Sequence, residues 1–596
     1  MDWGIYLIAA TVLFSLSCVA ALIVPNTKAG RGRLLDGTKI LFFGVVISSV
    51  ILFFPIYIMT MKEAGCGAFE AVLISVHNMI RLFVVDGDFA FVTDNLSGVP
   101  LWVENGYTAL FAVLFVAAPL LTFGFVLSFF KNLSAYRRYF TRYYSDAYIF
   151  SELNSRSLAL ATDLKKNKKR TRTVVFCSVK EDDFEGDKGL IDKAYGIGAV
   201  CFEKDVSGIG FSFHSKRAEL CFFCIGGQEF KNVSAALDII EKYRMRENTQ
   251  LYVFSSSDES ELLLSNSYKP DSDGVLPKIH LRRVNEERSL VYRTLYETGF
   301  EKVYGGGKIK DIGALIVGMG GHGSEMLRAL CWFSQMDGYS IRIDAFDSDE
   351  NAESRFVSEC PELMDDEHNG VEHGSEDANY KITVHSGIDV MTDKFDAIAK
   401  ELCTVTYVLV ALGDDEKNIS AAVKLRQLFL RLGMQPAIAA VVYDTDKKNA
   451  LLGVENFKGE EYGIDFIGDL ETSYSENVIL GSDLEKLALA RHLKWGEERD
   501  FWRYDYNYKS SVASAIHTEM KKKCGIPGAE LSPEMRSQAD REALRRLEHR
   551  RWDAYMRSEG YVFSGSDTYR NDLAKMHNCL VDFSKLSKKD QEKDDD

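Results

Sequence analysis

Proline is scarce, at 10 of 596 residues, and no stretch is dominated by one or two residue types. Collagen-like, linker-like and disordered classes are excluded on that ground. Positive charge is also in deficit: 71 Lys and Arg face 87 Asp and Glu, a formal net charge of −16. That balance argues against a duplex-DNA binder working through a basic face, and no nucleic-acid partner is expected. Metal-type cysteine spacing is missing except at Cys221 and Cys224, and that CxxC lies inside an apolar run, CFFCIG. A zinc or redox pair prefers a loop or a helix start, so two buried thiols and no metal are expected. Nine of the eleven Cys follow residue 130, as suits a reducing, cytosolic body.

Charge is absent altogether from three runs of 21 to 24 residues, at 4–24, 40–61 and 107–130. Each is long enough to cross roughly 30 Å of hydrocarbon as a helix, which makes the lipid bilayer the first expected partner. The first run lacks a basic n-region and is too long for the apolar part of a signal peptide, so a retained helix is expected. Lys28, Arg31, Arg33 and Lys39 follow the first run; Lys131, Arg137, Arg138 and Arg142 follow the third. The loop between the second and third is acidic, with Glu63, Glu70, Asp86, Asp88, Asp94 and Glu104 against Lys62 and Arg81. Basic loops stay inside, so the N-terminus is expected outside and residues 131–596 in the cytoplasm. Within the acidic loop, residues 68–85 are apolar but carry Glu70, His77, Asn78 and Arg81 on one helical side. Two readings remain open there: a helix lying in the interface, or a re-entrant pore helix ending at Val85-Asp86-Gly87-Asp88.

After the third run comes an aromatic, basic neck (AYRRYFTRYY), then an amphipathic stretch, 148–164, then the basic run Lys165 to Arg172. From Val174 onward, apolar runs of four to eight residues alternate with helical patterns, the signature of a buried parallel sheet. The first such strand leads into Ser178-Val179-Lys180-Glu181-Asp182-Asp183 without glycines, so no dinucleotide site is expected in this unit. A second unit differs. A strand at 314–317 runs into Gly318-Met-Gly320-Gly321-His322-Gly323 and a helix, and the next strand ends at Asp347, with Asp349 two residues on. Gly318 permits a tight turn, Gly320 close approach by pyrophosphate, and Gly323 close helix–strand packing; an acid at 347 can accept from a ribose hydroxyl. The stretches CIGGQEFKN (224–232) and ALGDDEKN (411–418) place a glycine, a polar turn and a helix-opening Asn after a strand in both units. Asn is a good N-cap, and the shared order points to a tandem duplication.

On Gly318, Gly320, Gly323, Asp347 and the Gly413–Asn418 stretch, residues 171–480 resemble tandem RCK domains of the TrkA N-terminal family, regulators of potassium channels and transporters. That resemblance implies binding of NAD(H) or an adenine nucleotide at Gly318, Gly320, Gly323, Asp347, Asp349 and Gly413. It also implies assembly into a homo-oligomeric, tetramer-like ring acting on membrane helices. The acidic insert 364–377 carries His368 and His373 and reads as a solvated loop.

The last unit is helical and charged. Glu548-His549-Arg550-Arg551-Trp552, Gly560-Tyr561 and Lys575-Met576-His577 resemble the Ryr repeat domain of ryanodine receptors and of many bacterial proteins. Tyr561 stands where that family usually has Trp. His549, Arg550, Trp552, Tyr561 and His577 are of the residue types that form an aromatic, basic pocket for a nucleotide-like anion.

The expected fold is a multidomain membrane protein. Three transmembrane helices (1–130) and a neck (131–170) precede two doubly wound α/β domains (171–305 and 306–480) and a small all-α domain (481–596). The expected function is a nucleotide-gated channel or channel-like effector without catalytic residues. Two alternatives are a regulatory subunit of a separate potassium transporter and a membrane-disrupting defence effector triggered by a signalling nucleotide.

Overall fold

The structure is a computed structural model that describes residues 3–23, 31–63, 67–84, 86, 89–96, 98–128, 131–166, 172–179, 188–211, 214–270, 273–365, 368–369, 380–565 and 569–594. Val24, Lys28, Val85, Gly87, Asp88, Phe129, Phe130, residues 168–170 and 180–183, and His373, all singled out above, lie outside the described residues. The chain divides into two compact units, one of residues 1–154 with 167–222, the other of 155–166 with 223–596.

In the first unit the three apolar runs are helices, Trp3–Ile23, Arg31–Glu63 and Leu101–Ser128, each long and apolar enough to span a membrane. They pack through small residues, as helices do where no water drives them together. A Cβ on Gly44 would stand 2.1 Å from Ser17 Oγ, and Ser48 Oγ donates to the Ala10 carbonyl at 3.2 Å. The amphipathic stretch is a separate helix, Ala68–Phe83, whose Ala71, Ser75, Asn78 and Leu82 are buried.

Twelve strands build two sheets. They are β1 Asp146–Phe150, β2 Arg172–Phe176, β3 Val200–Cys201, β4 Leu220–Cys224, β5 Thr249–Phe254 and β6 His280–Val284; then β7 Asp311–Val317, β8 Ser340–Asp347, β9 Tyr380–Ser386, β10 Tyr407–Val410, β11 Ala437–Val441 and β12 Ile464–Ile467. The first sheet has the order β3-β2-β1-β4-β5-β6 and the second β12-β11-β10-β7-β8-β9. Read from its other edge, the second repeats the first. Both have the doubly wound order in which the chain reverses direction beside the first strand.

The first sheet begins one strand earlier than the sequence predicts. Tyr148–Phe150, expected to be helical, belongs to β1, so the loop equivalent to the glycine turn is residues 151–154, Ser-Glu-Leu-Asn, and not the one after Val179. It too has no glycine. The expected thiols Cys221 and Cys224 are buried in β4, and burial raises both pKa values.

The expected helix-capping role of the repeated Asn is also corrected. The N-caps are Gln228 and Asp414; Asn232 and Asn418 lie one turn further on, buried. Asn232 Oδ1 accepts from Gly226 N–H (2.6 Å) and its Nδ2 donates to the Phe254 carbonyl (2.9 Å). Asn418 accepts from Leu412 N–H (2.6 Å) and donates to the Val441 carbonyl (2.8 Å). Three residues earlier, the Glu229 carboxylate accepts from Ser256 and Ser257 N–H, and Asp415 accepts from Tyr443 and Asp444 N–H. The same clasp, at the same distances from the strand ends, closes the fourth and fifth strands of each sheet.

The second sheet is covered on both faces. One face shares a continuous core with the C-terminal helices: Trp332, in the helix Gly321–Phe333, packs edge-on against Tyr292 and Tyr555. The other face holds Leu315, Val408, Phe395 and Phe429. The C-terminal region is mainly helical, with one addition to the all-α expectation: a small sheet of Val562–Phe563, Met576–His577 and Arg570–Asn571.

Candidate functional site

The glycine turn after β7 is shaped by what each glycine meets. Gly318 has φ +95°, a left-handed conformation that L side chains rarely adopt, and a Cβ there would stand 2.3 Å from the Ala411 carbonyl oxygen. A Cβ on Gly323 would stand 1.7 Å from the Gly318 carbonyl oxygen. Gly320 is different: among the described residues nothing lies within 4 Å of its Cβ position. It is the N-cap of the helix Gly321–Phe333, and no side chain caps that end. First-turn N–H groups of such a helix carry partial positive charge and favour an anion.

Asp347, at the end of β8, turns back to this loop. Its Oδ2 accepts from Met319 N–H at 2.6 Å and its Oδ1 from Asp349 N–H at 2.8 Å. It therefore fixes the turn, and a carboxylate has lone pairs left for a ribose hydroxyl. Asp349 is held elsewhere, accepting from Asn351 N–H at 2.8 Å and pairing with Arg355 at 2.6 Å; these interactions lower its pKa. Gly413 (φ +79°) lies in the turn after β10, with open space at its Cβ position. The structure thus brings Gly318, Gly320, Gly323 and Asp347 together and leaves Asp349 in a turn of its own.

Only part of the C-terminal set converges. His549, Trp552 and His577 line a cavity of about 720 Å³. The His549 ring stacks on Trp552 at 5.6 Å, and Trp552 meets His577 edge-on at 5.0 Å. Arg550 instead pairs with Asp337 (2.9 Å), and Tyr561 O–H donates to Asp572 (2.8 Å); neither lines the cavity. Positions 548, 549, 551 and 552 form one stripe along the helix, and position 550 falls on another side, which separates Arg550 from His549 and Trp552. Five cations that the sequence does not single out, Arg491, Lys494, Arg551, Arg570 and Lys593, also line it, together with the carboxylates of Glu548, Asp590 and Asp594. Arg551 Nη1 is buried and has no hydrogen-bond partner among the described residues.

The chain's own acidic tail enters this cavity. His549 Nε2–H donates to the Val581 carbonyl at 2.8 Å, and Nδ1 faces Asp594 Oδ2 at 3.2 Å. Burial works to lower the His549 pKa, but Asp594, Asp553 and the Val581 carbonyl together outweigh it and the net shift is upward. Burial raises Asp594, with only partial relief from His549. His577 is pushed down to about 4 by burial and by Arg570, and stays neutral. His368 pairs with Asp365 in the acidic insert, at 2.6 Å.

Fold and site define a class: a chain with three membrane-length apolar helices and two doubly wound parallel sheets, the second carrying a glycine turn of nucleotide-binding form. No family model and no curated protein matches the chain.

Proposed function

We propose that this is a nucleotide-sensing integral membrane protein, a ligand-gated channel or channel-like effector and not an enzyme. The observation that carries the reading is the glycine turn: Gly318 and Gly323 are forced by backbone contact, whereas Gly320 faces open space beside an uncapped helix N-terminus and Asp347. Packing alone does not call for that third glycine; a pyrophosphate does. NAD(H) or an adenine nucleotide is the proposed ligand. The RCK-like and Ryr-like resemblances support this reading, along with a homo-oligomeric ring, an outside N-terminus and a cytoplasmic body.

Continuity of the chain supplies the route to the bilayer. The third apolar helix is followed by the helix Lys131–Phe140, then β1, then the helix Ser155–Lys166. Arg156 in that last helix pairs with Glu286 at 2.7 Å, and Tyr474 O–H also donates to Glu286. A ligand that moves this cluster moves a segment tied by a short stretch of chain to the membrane helices. The test is current through planar bilayers containing the full-length protein, with and without NAD, NADH, ATP and ADP. Ligand-dependent conductance is expected. Silence from folded, ligand-bound protein would move conduction to a separate partner.

A further inference from the structure

Beyond the C-terminal ends of the strands in both repeats lies a cavity of about 390 Å³. Its walls include Arg156 after β1, Glu286 and Glu287 after β6, His322 after β7, Tyr443 after β11 and Leu470 after β12. Arg156 and His322 occupy the same place in the two repeats, the second residue of the helix that follows the first strand. Glu287 and Leu470 are likewise equivalent, each three residues past the sixth strand. A pocket framed by equivalent positions of two repeats belongs to both of them.

We infer that this cavity receives the second nucleoside of a dinucleotide of the NAD type, with Glu287 accepting from its ribose hydroxyls. The first repeat would then close a site that it has no glycine turn to build for itself. The inference rests on the glycine-turn reading above and selects among its ligands. His322 belongs both to the turn and to the cavity wall, so a pyrophosphate at Gly320 lies next to the cavity mouth. The volume falls within the range of small-molecule sites, about 300–1,000 Å³.

Charge decides what the cavity accepts. Arg156 and Arg293 balance Glu286 and Glu287, and burial lowers the His322 pKa and favours its neutral form. With no net charge, the lining suits a neutral ring and a ribose better than a further phosphate. Arg156 and Tyr474 hold Glu286, and Arg293 donates to the Thr472 carbonyl at 3.0 Å. Among the described residues the Glu287 carboxylate has no hydrogen bond or ion pair. Its side chain packs on Gly321: a Cβ there would stand 2.8 Å from Glu287 Cγ and 3.2 Å from Oε1. That puts a carboxylate beside the helix start, on the way from the turn to the cavity. Terminal phosphates are repelled there, while a vicinal diol offers two donors. A mononucleotide is thereby disfavoured against a dinucleotide.

Calorimetric titration of the full-length protein in detergent with NAD, ADP-ribose and ADP tests this. NAD and ADP-ribose are expected to bind about tenfold more tightly than ADP, the worth of one charge-assisted hydrogen bond. Glu287→Ala, on a half-exposed position, is expected to weaken both by about tenfold and to leave ADP unchanged or tighter; its melting temperature reports the fold. Equal affinity for NAD and ADP in the parent overturns the inference, as does an equal loss for both in Glu287→Ala. ADP binding that Gly320→Val removes, without any dinucleotide preference, sinks the inference and leaves the glycine-turn reading standing. Absence of binding by all three ligands sinks both.

Discussion

Gly323 lies under Gly318 so closely that no side chain fits between them: the Cβ position of the one is 1.7 Å from the carbonyl oxygen of the other. Two residues away, Gly320 has nothing within 4 Å. The two glycines should therefore fail in different assays. Gly323→Ala is expected to lower stability by several kcal/mol, about the cost of a forced backbone shift and an overpacked core. Gly320→Val is expected to leave the melting temperature nearly unchanged and to block nucleotide binding. Thermal melts beside calorimetry on the same two proteins check it; a strongly destabilised Gly320→Val would mean that the glycine serves the turn.

The Asn clasps predict a matched pair of losses. Asn418→Ala removes the acceptor for Leu412 N–H and the donor to the Val441 carbonyl, and Asn418 is fully buried. Unpaired buried groups cost about 1–3 kcal/mol each, so a loss of about 2–5 kcal/mol is expected. Asn232→Ala should cost a similar amount in the first sheet. Urea titration followed by circular dichroism reads both, and a loss near zero in either would break the equivalence.

Acidity should tighten the C-terminal tail. Both His549 and Asp594 are shifted upward in the fold, so the folded protein holds more protons than the unfolded chain. The His549 contribution is complete below its ordinary pKa, near 6.5, and is lost as pH rises through its raised value. Asp594 works in the same direction, from its own ordinary value upward. The melting temperature of the parent is expected to exceed that of Asp594→Asn at pH 6, and the gap is expected to shrink by pH 8.5. A gap that widens with pH contradicts the pairing.

His517 should act with the opposite sign. It is fully buried, with Nε2 2.7 Å from the Gln335 carbonyl, and burial pushes its pKa down to about 4. The unfolded chain then takes up the proton first, so stability is present above pH 6.5 and falls as pH drops toward 4. His517→Gln is expected to flatten that acid limb while costing some stability at pH 7. Melting curves from pH 4.5 to 7.5 on both proteins measure it, and an unaltered acid limb would assign it to other groups.

β7 to β11 were legible because they are apolar runs with clear ends. β1, β6 and β12 were not. Asp146–Phe150 follows a Tyr- and Arg-rich helix and precedes another helix, so five strand residues merged into one amphipathic pattern. The glycine turn was readable residue by residue, since its demands are steric and local. Glu287 and Arg156 were not, because their partners lie far along the chain: Arg156 meets Glu286 across 130 positions. In the C-terminal unit the residue types were right, but direction around the helix decided which faced the cavity. His549 and Trp552 do, and Arg550 does not.

The two clasps have a consequence for descent. Each fastens onto backbone N–H and C=O groups, which every residue type but proline supplies, through an acid and an Asn three positions apart. Ser256 and Ser257 in one copy stand where Tyr443 and Asp444 stand in the other, and the backbone bonds are the same. Mutation is therefore free to rewrite most of the text of either copy while the architecture persists. A protein fastened in this way drifts away from its kin in spelling long before it does so in shape.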